Sequence, residues 1–148
     1  MGINILNILL RYRFLINLNK RFPKLIIQQQ TQTQQTKMSK LKLKIFEIVN
    51  RIPFGKVAFY GQIAAVCTQE DFPVRAQVVG WILSGMKVCE FDDCYWWRVV
   101  AKNGFVASLK LGPKGILQIE MLKGEKVEIL DDFVNMNEFA VSLEELSN

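Results

Sequence analysis

The run Cys94-Tyr95-Trp96-Trp97-Arg98-Val99-Val100 gathers most of the side chains that could do chemistry in this chain: a thiol, three aromatic rings and a guanidinium. What is missing matters as much. The 148 residues contain three cysteines, Cys67, Cys89 and Cys94, and no histidine. A thiol nucleophile activated by an imidazole therefore cannot be built, and an unassisted thiol is mostly protonated at neutral pH. The cysteines form no Cys-x-x-Cys pair, and a zinc site without histidine would need cysteine with carboxylates, a poor ligand set for zinc. An odd, widely spaced set fits reduced thiols better than a disulfide framework. We expect no metal site, no organic cofactor, and binding rather than covalent chemistry.

The elements that must position this segment can be read along the chain. Leu41, Ile45, Ile48 and Val49 recur at helical spacing, and Ser39 is placed to cap that helix. Pro53 and Gly55 end it in a turn. Val57-Ala58-Phe59 is short and extended; Tyr60 to Val66 reads as a second helix, and Val74 to Leu83 as a third, with Val78, Val79, Ile82 and Leu83 along one side. Two short helices joined by a polar turn make a helix-turn-helix candidate, the later helix being the reader. Phe91 to Cys94 reads as a loop. Trp97 to Val100 is β-prone, and the tight turn Asn103-Gly104 would let Phe105-Val106-Ala107 pair back as a hairpin wing. Ile116 to Lys123 is a last helix with Gly124 beyond its end, and Val127 to Ile129 a final strand. A helix around Phe139–Leu146 or a disordered end are both open.

Half the residues are hydrophobic, enough for one core. The net charge of +5 is unevenly spread. Residues 1–37 carry six basic residues and no acid, residues 38–127 carry thirteen basic against eight acidic, and from Glu128 onward there are six acids and no Lys or Arg. A modestly basic body with an acidic end is compatible with a phosphate backbone without requiring one. Residues 28–36 form a Gln/Thr run unable to build a core. Before it, four readings stand: a transmembrane helix, disfavoured by Arg11, Arg13, Lys20 and Arg21; a secretory signal lacking a small-residue cleavage site; an organellar targeting peptide short of serine; or an upstream extension of a protein starting at Met38. The division expected is a low-complexity extension over 1–37, disordered or not native, a domain over 38–130 and an acidic tail over 131–148.

The order of these pieces resembles the DNA-binding domain of O6-alkylguanine-DNA alkyltransferases, and within that superfamily the alkyltransferase-like proteins. The residues that carry it are Ile52-Pro53-x-Gly55-Lys56-Val57-x-x-Tyr60-Gly61-x-Ile63-Ala64, then Val79-Gly80-Trp81-x-Leu83-Ser84, then Trp97-Arg98-Val99-Val100 with Gly104, then Gln118-x-x-x-Leu122-x-x-Glu125. The resemblance runs from about Ser39 to Ile129. It implies a mainly α fold with a short β-hairpin, a winged-helix-like helix-turn-helix domain of the DNA alkyltransferase type.

The resemblance also assigns roles. Where the enzymes carry Pro-Cys-His-Arg, this chain has Tyr95-Trp96-Trp97-Arg98, so Trp96 stands at the alkyl-acceptor position. Alkyltransferase-like proteins commonly have Trp there; they bind the lesion without taking up the alkyl group and pass it to nucleotide excision repair. Trp96 would then hold a flipped-out base. Tyr60 matches the tyrosine that presses on the target nucleotide's 3′ phosphate. The arginine that fills the gap left by the flipped base is replaced by Gln77, so either Gln77 or Arg75 must serve, and Ala76 and Gly80 would let the reader helix approach the minor groove. The loop residues Val106, Ala107, Leu109 and Lys110 would form the pocket rim. Trp97, Arg98 and Glu125 would be structural, Glu125 having lost the histidine it orients in the enzymes. Met86 stands where the enzymes have an Asn. Cys94, about 6–7 Å along an extended strand from the acceptor position, would be a poor substitute nucleophile.

These expectations add up to a non-enzymatic, base-flipping DNA repair protein. It would bind double-stranded DNA containing O6-alkylguanine as a monomer in the cytoplasm, on the nucleoid, or in the nucleus, without a membrane, and alert excision-repair proteins. The alternatives are a general DNA-binding module of the family and, less compatible with the residues, transfer through Cys94.

Overall fold

The computed structural model describes residues 23–148, which fall into two compact units divided between Lys40 and Leu41. Of the leading piece before the Gln/Thr run, residues 1–22 lie outside the described residues, so the four readings of it are left there. The first helix, α1, runs Pro23–Asn50. Proline suits a first helical position because its missing N–H would be unsatisfied there anyway. Ser39 therefore lies inside the helix and does not cap it: its hydroxyl donates to Gln35 O at 2.9 Å, as Thr36 does to Gln32 O. Glutamine is a fair helix former, so the Gln/Thr run can continue the helix although residues 31–40 are all exposed.

From Leu41 on, the stripe Ile45, Ile48, Val49 and Ile52 is buried. It forms one core with Ile63, Val66 and Cys67 of α2 (Tyr60–Gln69) and Val79 and Leu83 of α3 (Ala76–Ser84). The α2 and α3 helices pack on one another and form the helix-turn-helix. After α3 the chain makes 3-10 turns over Val88–Asp93 and Trp96–Arg98, where the sequence reads as loop and strand. A second core, Val57, Val100, Val106, Leu122, Val127 and Val134, lies under α4 (Pro113–Gly124), which begins three residues earlier than expected and includes Gly124.

The expected hairpin across Asn103-Gly104 does not form. The short strand β2 (Val99–Val100) pairs in parallel with β1 (Ala58–Phe59), Ala58 opposite Val99. The tight turn itself is present, with Ala101 N donating to Phe105 O. Phe105 pairs instead with the C-terminal hairpin of β3 (Ile129–Leu130) and β4 (Phe133–Val134). Gly104 makes that possible: at φ +86 an added Cβ would sit 2.1 Å from Val134 O. The β3–β4 turn places Asp131 and Asp132 at φ 49 and 69, the doubly left-handed turn that matches strand twist.

The acidic end is docked rather than trailing. Val57 donates to Phe139 O and accepts from Val141 N, both at 2.8 Å, and Val141 and Leu146 are buried in the first core. The helix expected around Phe139–Leu146 is two short helices, α5 (Met136–Phe139) and α6 (Leu143–Ser147), the latter capped by the Ser142 hydroxyl. Among the described residues no helix is long and apolar enough to cross a membrane, and no cluster of His, Cys, Asp or Glu could hold a metal.

Candidate functional site

The turn Trp96–Arg98 is fixed from one side by a buried polar knot. Arg98 donates through Nε to both carboxylate oxygens of Glu125, at 2.9 and 3.0 Å, and through Nη1 to Ile52 O at 2.6 Å. The same carboxylate accepts from Trp97 Nε1 at 2.7 Å and from Gly55 N at 3.0 Å. Gly55 is held at φ +74, a conformation that favours glycine, so the Pro53-x-Gly55 turn serves to aim an amide at Glu125. The exposed Tyr95 ring lies 4.1 Å from the Arg98 guanidinium. Gln118, also buried, donates to Trp97 O and Val99 O. Glu125 is thus a structural acceptor that ties α4 to the turn.

On the other side of the turn lies a cavity of about 590 Å³. Tyr60 from the start of α2, Gln77, Gly80, Trp81 and Ser84 from α3, Trp96, and Lys110 and Lys114 from the approach to α4 line it, with Leu83, Val99, Ala107 and Gln118 completing the wall. No carboxylate is among them. Burial raises the Tyr60 phenol above its usual pKa, so it is a neutral donor at physiological pH. The α3 residues 77, 80, 81 and 84 recur at helical spacing and form one face, while Val79 and Leu83 bury the other.

Trp96 is only 4% exposed, so it is a floor offering little surface. It packs against Phe91 (centroids 5.1 Å apart) and edge-on to Trp97. Lys114 Nζ lies 4.7 Å from the Trp96 ring centroid, a cation–π contact. That ammonium also donates to Leu83 O at 2.6 Å, at the negative end of α3. Burial holds its pKa below the usual lysine value.

Of the residues singled out from the sequence, the cavity brings together Tyr60, Trp96, Ala107 and Lys110 of the expected pocket with Gln77 and Gly80 of the reader helix, and leaves others out. Val106 is fully buried in the second core and Leu109 packs against it, because the 3-10 turn Ala107–Leu111 starts just after Val106. Arg75 is the exposed residue preceding α3, and neither it nor Ala76 lines the cavity. Trp81, Leu83, Ser84, Val99, Lys114 and Gln118 also line the cavity, without being singled out as site residues by the sequence. Trp81 carried a signal, four residues after Gln77 and off the apolar stripe; Lys114 carried none, since only the fold brings it to Trp96. Met86 is simply a core residue, 7% exposed. Cys94 is buried and its thiol is pushed up to about 12, chiefly by desolvation.

Comparison with known proteins bears on the fold and the family. A family model for the 6-O-methylguanine DNA methyltransferase DNA-binding domain matches residues 40–127. A DNA base-flipping protein of Vibrio parahaemolyticus serotype O3:K6 (strain AQ3810) is 33% identical over 92 residues, 62% of this chain and 85% of that protein. Among solved structures, S. pombe Atl1 in complex with damaged DNA containing O6-carboxymethylguanine is similar with a TM-score of 0.59 at 24% identity, over 70% of this chain and 96% of that one. S. pombe ATL in complex with DNA is similar with a TM-score of 0.57 at 21% identity, over the same shares. At these identities the two structures speak to the fold, which is the mainly helical helix-turn-helix fold expected from the sequence. By its matched domain and its curated relative, the chain belongs to the family of the 6-O-methylguanine DNA methyltransferase DNA-binding domain.

Proposed function

We propose that this protein recognises O6-alkylguanine in double-stranded DNA without repairing it. The observation that carries the reading is the carboxylate-free cavity at the reader helix, lined by Trp96 and Tyr60; by the resemblance, Trp96 stands at the enzymes' acceptor-Cys position. In this reading α3 docks in the minor groove, Tyr60 turns the damaged nucleotide out, and the base enters the cavity beneath α3. Lys110 and Lys114 add favourable charge for an electron-rich or anionic adduct. Alkyl transfer has no agent: the chain has no histidine, and the buried Cys94 thiol remains protonated. The bound complex then serves as a flag for nucleotide excision repair proteins.

The test is binding to one duplex with and without a single O6-methylguanine, at two fixed salt concentrations because phosphate contacts are screened. The wild type is expected to prefer the damaged duplex, and Tyr60→Ala to lose that preference. Mass spectrometry after incubation should find Cys94 unmodified. Equal affinity for both duplexes would leave a general DNA-binding module of the family.

A further inference from the structure

Trp81 is 62% exposed. A lone exposed hydrophobic is ordinary, and Phe54, Val88 and Ile116 are as exposed without sharing any common feature. Trp81 differs in its surroundings. It lies one turn after Gln77 on α3, and both line the cavity with Tyr60, Gly80, Lys110 and Lys114. Its neighbour Gly80 faces the Tyr60 ring, which a Cβ at that position would meet at 3.8 Å. The charged neighbours at this rim are cations, which suits a polyanion. Gln77 on the same face is a neutral amide with little surface to stack.

We propose that Trp81 is a stacking residue for DNA: its indole packs on a base unstacked at the rim of the cavity, supplying the ring surface that Gln77 lacks. A base offers a flat π face whatever its identity, so the contact is sequence-tolerant and holds undamaged as well as damaged DNA. This rests on the DNA-binding reading of the site but not on lesion preference. It leaves Arg75, outside the cavity, as a phosphate contact.

The experiment is fluorescence anisotropy of labelled damaged and undamaged duplexes with the full chain, as wild type, Trp81→Ala and Trp81→Phe. Acrylamide quenching of tryptophan emission with and without DNA accompanies it. Trp81→Ala should weaken binding to both duplexes by about tenfold or more. Trp81→Phe, which keeps an aromatic face, should recover most of the loss. The most acrylamide-accessible part of the emission, which both variants should lack because Trp96 is buried and Trp97 only partly exposed, should become protected in the complex. Because the side chain is exposed, thermal unfolding of the variants should match wild type. Unchanged affinity of Trp81→Ala, with emission still accessible in the complex, overturns the proposal and points to a protein partner at this ring. Equal wild-type affinity for the two duplexes overturns lesion recognition while Trp81 is still judged by its own variants. Absence of DNA binding overturns both.

Discussion

On one side of the Trp96–Arg98 turn every strong polar group is already engaged; on the other, several remain turned toward an open space. Trp97, Arg98 and Gly55 all donate to the Glu125 carboxylate, and Arg98 and Glu125 are each 7% exposed. Across the turn, Tyr60, Gln77, Trp81, Lys110 and Lys114 line a cavity. Two adjacent tryptophans mark the boundary: Trp97 commits its N–H to Glu125, while Trp96 floors the cavity under the Lys114 ammonium. One short turn can therefore be locked by polar bonds on one face and border a cavity on the other. Glu125 anchors the turn whose Trp96 lines the cavity.

The contrast is open to attack at both ends. The largest effect should come from Glu125→Ala, which leaves Arg98 buried without its counter-charge; about 3–5 kcal/mol of stability should be lost in denaturant unfolding. A loss near zero would mean the knot is not the scaffold. Trp96→Ala should cost a comparable ~3–5 kcal/mol, because a nearly buried ring is removed from a packed core. That makes it a poor probe of binding, and Trp96→Phe should keep the fold and separate floor from core. On the cavity side, Gln77→Arg should leave unfolding unchanged and steepen the salt dependence of DNA binding by about one counterion. An unchanged slope would remove Gln77 from the interface.

The smallest effect sharpens the contrast between buried and surface pairs. Glu70 accepts from Arg51 and Lys44 while about a quarter of its side chain is exposed (28%). Hydrogen bonds from Arg51 and then Lys44 hold its carboxyl at about 2, below the usual 4.5. Its contribution is therefore full above about pH 4.5 and lost as pH falls toward 2. Glu70→Gln should cost about 1 kcal/mol or less at neutral pH, and the gap from wild type should close in acid. A Glu70→Gln effect rivalling Glu125→Ala would erase the distinction between the two pairs.

Apolar spacing along the helices makes the helix-turn-helix legible in the sequence, and the absence of histidine excludes a thiol–imidazole nucleophile. The sequence also determined the family, through motifs in register from Ile52 to Glu125. Folding settles what local pattern cannot encode. The expected hairpin gave way to a parallel β1–β2 pair because the C-terminal hairpin takes the place beside Phe105, a choice between partners more than 25 residues apart in the chain. The acidic end, polar by composition, docks because Val141 and Leu146 find space in the core. Lys114 reads as a loop lysine until the fold sets it over Trp96. Val106 and Trp81 exchange expectations for the same reason. Burial belongs to the surroundings a side chain acquires on folding, and neither its type nor its spacing along the chain contains them.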